Sequence, residues 1–296
     1  MLQIAIIGDI HHHFNQADLT YFNQSAYDLI LCVGDLANWR PRPALSVARL
    51  LAQLEKPALF IPGNHDGVTA WQLLAEVKEW PWLARLASWG QERRVRALHD
   101  ALGPLFWGGY TAHTFGAGED EVTVITARPH AMGGSALSFA PYLARQYGVH
   151  SLTQSAERMM RCVDAAASQQ LIFLAHNGPT GLGDQATDIW GCDFRPAQGD
   201  FGDKDLRIAI DYARQQGKRV LAVIAGHMHQ QTKNGQIRPW YSQQDGISYL
   251  NPARVPRIFR QGKSQVHYYL SLTLNQQTLT AAEQYIPGMI SRHHYT

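Results

Sequence analysis

The chain has 296 residues, a formal charge of +2, an apolar fraction of 45% and a charged fraction of 17%. That length supports one large domain with a sizeable core, the composition excludes disorder as the dominant state, and the near-neutral balance leaves no electrostatic footprint for nucleic acid or an anionic membrane. Cys32, Cys162 and Cys192 lie far apart, and an odd count without CxxC spacing argues for reduced thiols in a cytosolic protein.

In chain order, apolar runs at 2–8, 29–34 and 58–62 predict buried strands, and the first starts without a basic leader or cleavage site. No apolar run reaches the ~20 residues that span a bilayer, so a soluble, cytoplasmic protein is expected, or one of an organelle stroma if a transit peptide has been removed. Between the second and third strands, Leu45, Ala48, Leu51, Ala52 and Leu54 recur at near-helical spacing over 43–54. Strand, helix and strand in this order predict a βαβ opening and a parallel sheet. The region 69–170 changes character, with Trp71, Trp80, Trp82 and Trp89 followed by Arg93, Arg94 and Arg96. Aromatics at this density predict a packed subdomain rather than a base-stacking platform. Strands are expected at 105–109, 121–127, 171–175 and 220–225, helices at 155–167 and 204–215, and antiparallel strands at 247–250, 266–274 and 278–284. The chain divides into a catalytic domain over 1–286, with 69–170 as a helical and loop elaboration, and a tail over 287–296.

Five segments place acid, amide or imidazole groups where an apolar strand becomes a loop. They are Gly8-Asp9-Ile10-His11, Gly34-Asp35, Gly63-Asn64-His65-Asp66, Ala175-His176-Asn177 and Gly226-His227-Met228-His229. Ligands of open α/β sheets sit outside the carboxyl ends of the strands. Two cations roughly 3.5–4 Å apart need about seven or eight donors, which only several converging strand ends can supply. The segments therefore read as a two-metal hydrolytic site.

The order D-x-H, GD, GNH[DE], H, GHxH resembles the calcineurin-like metallophosphoesterase superfamily, over residues 4 to 229, and Asn251-Pro252 resembles a segment that often follows the last motif. The resemblance implies a four-layer α/β/β/α sandwich of two mixed sheets, with the metals where strand ends meet. It implies that Asp9, His11 and His229 hold one divalent ion, that Asn64, His176 and His227 hold the other, and that Asp35 bridges them. Such donors suit manganese, iron, zinc or nickel. His65 would stabilise the phosphoryl group or protonate the leaving alkoxide, and Asp66 would orient its imidazole and raise its pKa.

Beyond the motifs, Arg128 and His130 precede Gly133-Gly134 in a loop that would hold a non-reacting part of the substrate, with a solvated turn arginine as the plain alternative. If 9–13 runs extended, alternation puts His13 beside Asp9 and His11, facing substrate, and leaves His12 peripheral. His99, His113, His150 and His267 read as ordinary histidines, and Asp184, Asp188, Asp193 and Asp200 as solvated turn acids. The stretch Gly34-Asp35-Leu36-Ala37-Asn38-Trp39-Arg40 lacks the arginine of GDxxDRG protein phosphatases and the tyrosine of GDxxY purple acid phosphatases. The expected activity is hydrolysis of a small phosphate monoester or diester, as a phosphatase or phosphodiesterase, by in-line attack of a hydroxide shared by the metals. Its rivals are a nuclease with the same motifs and a non-catalytic scaffold; nucleic acid and membrane are not expected partners.

Overall fold

A computed structural model describes residues 1–38, 41–195, 199–262 and 264–287. The first half of the chain forms β1 (Leu2–Ile7), α1 (Gln16–Gln24), β2 (Leu29–Cys32), α2 (Pro41–Leu51), β3 (Ala58–Phe60), α3 (Ala70–Val77), α4 (Pro81–Ala87), α5 (Gln91–Leu102), β4 (Phe106–Trp107), β5 (Ala112–Phe115), β6 (Val122–Thr126) and α6 (Ala140–Tyr147). The second half forms α7 (Leu152–Asp164), β7 (Gln170–Ala175), α8 (Lys204–Gln215), β8 (Arg219–Ala225), β9 (Tyr241–Gln244), β10 (Ile247–Leu250), β11 (Ile258–Gln261), β12 (Ser264–Asn275) and β13 (Thr278–Pro287). The tail expected at 287–296 falls, from 288 on, outside the described residues.

One sheet runs β11-β12-β1-β2-β3-β4 with β13 on the outer edge of β12; the other runs β5-β6-β7-β8-β10-β9. β1 to β4 are mutually parallel, as are β6, β7, β8 and β10, while β5, β9 and the pairings of β12 are antiparallel. Both sheets are thus mixed.

Alternation along the strands sorts side chains into layers. Ile4, Ile6, Leu29, Leu31 and Leu59 point into a core shared with Val124, Phe173 and Val223 of the second sheet. Their neighbours Ala5, Ile7, Ile30, Cys32 and Phe60 face the opposite way, onto Leu19 and Phe22 of α1, Ala48 and Leu51 of α2, and Leu98 of α5. Met159 and Val163 of α7 and Leu206, Ala209 and Ile210 of α8 cover the outer face of the second sheet. The result is helix, sheet, sheet, helix, as expected.

Local signals explain where helices begin. Asn15 and Asp18 form a reciprocal capping box for α1, and the Ser151 hydroxyl accepts from Gln154 N–H, starting α7 earlier than apolar periodicity alone suggests.

The region 69–170 is not a single elaboration. Its helices α3 to α5 occupy 70–102 and α6 and α7 lie within 140–164, while β4 extends the first sheet and β5 and β6 build one side of the second. Nor do its tryptophans make a packed subdomain: Trp71, Trp80, Trp82 and Trp89 are all exposed, and the buried residues beneath them are Gln72, Ala75 and Ala84.

Candidate metal centre

Because β1, β2, β3, β7 and β8 are parallel within their sheets, their carboxyl ends lie on one side, where Asp9, Asp35, Asn64, His176, His227 and His229 follow them. The close approach of these ends explains the motif glycines. A Cβ on Gly63 would stand 2.3 Å from Asp35 Oδ1, and one on Gly226 would stand 2.1 Å from Asp9 Oδ1. Five of the polar residues that follow the strands, Asp9, His11, His12, Asp35 and His227, take positive φ, a costly conformation for non-glycine residues that clusters at functional sites.

Asp35 sits at the centre. Its Oδ2 lies 3.5 Å from His176 Nε2, 3.6 Å from His11 Nε2 and 4.0 Å from His65 Nε2. On one side, Asp9, His11 and His229 each offer a ligand atom, all within 4.8 Å of one another, with His229 Nε2 3.3 Å from Asp9 Oδ2. On the other, Asn64 Oδ1 lies 2.9 Å from both His176 Nε2 and His227 Nδ1. The residues expected to ligate are brought together: Asp9, His11 and His229 lie in one cluster, Asn64, His176 and His227 in another, and Asp35 Oδ2 faces His11 and His176.

The donor types fit divalent-metal binding. Buried His11 Nε2 has no hydrogen-bond partner among the described residues, so its lone pair is uncommitted. His176 donates from Nδ1 to Val33 O at 2.7 Å, and His11 Nδ1 lies 3.1 Å from Asn38 Oδ1; in each case the outer contact turns Nε2 towards the centre.

The acids and imidazoles of the centre pull on one another: against its burial, Asp35 raises His176 to about 10, and Asp9 raises His229. Burial opposes ionisation of Asp35, yet His176, His65 and His11 hold its carboxyl well below the usual carboxylate range. Burial likewise works against Asp9, and His229 and His176 more than offset it. Burial and the neighbouring His176 push His227 down to about 3, leaving it a neutral donor.

Asp66 does not orient His65. Its carboxylate is fully buried and accepts the backbone N–H groups of Asp35, Leu36 and Gly63 at 2.8, 3.0 and 2.8 Å. It clamps the second strand end to the third. Burial and the charge of Asp35 push it up to about 7, against the pull of the amides it accepts. His65 is held through its backbone N–H, which donates to Asp35 Oδ1 at 2.9 Å, and its buried Nδ1 has no partner among the described residues.

Three further expectations change. Arg128 is buried and paired with Asp203 at 2.6 Å and Asp205 at 2.8 Å, so it ties β6 to the start of α8 and does not face substrate. His130 is fully buried, with Nδ1 on Gly63 O at 2.8 Å, and burial lowers it to about 4. It supports the loop that carries Asn64. The chain at 10–13 turns, with His13 N–H donating to Ile10 O at 2.6 Å, so the alternation argument for His13 fails. Its carbonyl accepts from Arg257. Of the acids of 181–201, Asp188 and Asp200 make turn contacts as expected, accepting Gln185 and Gly202 N–H, while Asp193 instead accepts Lys233 N–H and pairs with Arg238.

Sequence reasoning missed Asn38, whose only signal is an amide three residues beyond Asp35. It also left open the work of Asn251, whose Nδ2 donates to Met228 O and Ile189 O and fixes the last motif.

The profile of the calcineurin-like phosphoesterase family matches residues 2–231. The chain belongs to that family. Comparison with curated proteins gives no match. Solved structures similar to it include a hypothetical protein from Pyrococcus horikoshii (10% identity, TM-score 0.40, 99% of this chain and 90% of that one). A metallophosphoesterase from Sphaerobacter thermophilus (14%, 0.35, 96% and 88%) and vacuolar protein sorting 29 from Cryptosporidium parvum (11%, 0.33, 97% and 98%) are also similar. Likeness at these scores carries no functional argument.

Proposed function

We propose that this protein is a metal-dependent phosphoesterase that hydrolyses a small phosphate monoester or diester. The observation that carries this reading is the position of Asp35, whose Oδ2 is within 4.0 Å of His11, His65 and His176 from three different loops. One carboxylate shared between two donor groups is what a pair of dications requires, since it offsets part of their repulsion. Bound there, two such ions supply Lewis acidity and acidify a water molecule into a nucleophile near neutral pH.

The chain's own residues do the rest. Asp9, His11 and His229 would hold one ion and Asn64, His176 and His227 the other. His65 ligates neither: its backbone is fixed on Asp35 Oδ1 and its imidazole, 18% exposed, stands at the edge of the centre. From there it donates a proton to the leaving oxygen or a hydrogen bond to the phosphoryl group. Val33 O and Asn38 keep the ligating imidazoles in register, and Asp66 keeps the loops of Asp35 and Asn64 together.

The nuclease alternative gains little support. Within the run Arg93, Arg94 and Arg96, Arg94 is spent on Gly67 O, Trp89 O and Gln72 Oε1.

The test is hydrolysis of a chromogenic phosphate monoester and the matching diester, with manganese added, by wild type and His65→Ala. Activity on either ester that falls about 10²- to 10⁴-fold in the variant, with metal retained, is the expected result. An unaltered rate in His65→Ala would remove the assigned role.

A further inference from the structure

The surface that the metal centre does not use is the helical pair α3–α4. Between positions 71 and 89, Trp71, Leu74, Val77, Trp80, Trp82, Leu86 and Trp89 are exposed, Trp71 by 69%, Trp82 by 66% and Trp89 by 88%. On α4 and the residues just after it, Trp82, Arg85, Leu86 and Trp89 recur at i, i+3, i+4 and i+7, which is one helix face, and that face points outward. An apolar stripe of this kind normally faces a core. Here the inward face is small or polar instead, with Ala84, Ala75 and Gln72, so the exposure is built into the sequence.

The exposed charges within the stripe that lack an ion-pair partner are cationic. Glu79 is engaged by Arg195 and Glu92 by Arg145, and Glu76 accepts the backbone N–H of Phe139. Lys78 and Arg85 within the stripe have no carboxylate partner among the described residues. A second copy of the chain docked face to face would oppose these cations to themselves, so the complement is an anionic partner. Single-stranded nucleic acid would stack on indoles, but Leu74, Val77 and Leu86 offer a base no π-face. A lipid surface takes all of these groups: indoles at the headgroup level, aliphatic side chains just below, and Lys and Arg against anionic headgroups.

We propose that the α3–α4 face docks the protein peripherally on an anionic membrane surface. This revises the expectation of no membrane partner, which rested on a net charge of +2 that averages away a local patch. No helix among the described residues is long and apolar enough to cross a membrane, so contact is interfacial. The proposal is independent of the phosphoesterase reading.

Co-sedimentation with phosphatidylcholine vesicles containing about one third phosphatidylglycerol tests it, beside pure phosphatidylcholine vesicles. The full chain is expected to partition to the anionic vesicles, more weakly as salt rises. The double variant Trp82→Ala/Trp89→Ala, whose positions are exposed and outside the core, should partition at least about tenfold less, as should Lys78→Glu/Arg85→Glu, with unchanged circular dichroism. The proposal is overturned if folded wild type stays in the supernatant, or if both double variants sediment like wild type. It is equally overturned if the Trp variant loses self-association in ultracentrifugation, or affinity for a single-stranded oligonucleotide, while wild type ignores the vesicles.

Discussion

The carboxylate of Asp66 lies 2.8 Å from the backbone N–H of Asp35, and it accepts two further amides from Leu36 and Gly63. Asp35, the carboxylate nearest His11, His65 and His176, is therefore set in place by a neighbour that contacts only backbone. Removing that acceptor leaves three buried N–H groups short of a partner, at about 1–3 kcal/mol for each left unsatisfied. Asp66→Ala should lower the urea midpoint clearly and weaken manganese binding by about 10- to 100-fold. Calorimetric titration with manganese checks this; a variant with native stability and metal affinity but a displaced pH–rate profile would restore a direct partnership with His65.

Asn38 is predicted to act on one half of the centre alone. Its Oδ1, 3.1 Å from His11 Nδ1, fixes the ring of a single ligand. Asn38→Ala should lose one class of metal, its affinity falling about 10- to 100-fold, while the ion held by Asn64, His176 and His227 stays. Metal content after dialysis against graded chelator distinguishes the two classes, and equal loss of both would show that Asn38 does not orient His11.

The glycine before the last histidine pair is predicted to be irreplaceable on steric grounds. The Cβ of Gly226→Ala would enter to 2.1 Å from Asp9 Oδ1, so either Asp9 or the loop must move. A loss of about 1–3 kcal/mol in unfolding free energy is expected, with metal affinity reduced as well. Gly217→Ala has open space but a φ of +74°, so it carries backbone strain without a clash: it should cost stability and leave metal affinity unchanged.

The stability of the chain should carry a pH dependence traceable to Glu76. Burial raises its carboxyl from about 4.5 to about 6, while its Oε2 accepts Phe139 N–H. The folded state then holds this proton more tightly than the unfolded chain, so its contribution is full below about 4.5 and is lost as pH rises through 6. Glu76→Gln keeps an acceptor without the charge. It should be more stable than wild type by about 1–2 kcal/mol at pH 7.5 and by less at pH 5, read from urea unfolding. A constant difference at the two pH values would contradict the assignment.

The convergence of the donor segments was legible in sequence because each follows a buried apolar strand, and parallel strands bring their ends to one side. Fold class was legible for the same reason. What escaped depends on backbone direction after the strand. The positive φ values at His11 and His12 turn the chain, which no spacing rule shows and which undoes the reading of His13. Arg128 looks like an anion clamp in sequence, and only the approach of Asp203 and Asp205, some 75 residues on, reveals a buried ion pair. β5, β9 and β11 are short, AHTF, YSQQ and IFRQ, and none carries the apolar run by which the other strands are found. The tryptophans misled in the opposite direction, since aromatic density predicts a core and these side chains face water.

The central claim is that converging strand ends hold two cations across Asp35. It is tested most directly by measuring bound manganese and ester hydrolysis on the same samples of wild type and Asp35→Ala. The account predicts about two ions per chain in wild type, at most about one in the variant, and no hydrolysis by the variant. An Asp35→Ala protein that keeps both ions, or a wild type that never binds more than one, would contradict it.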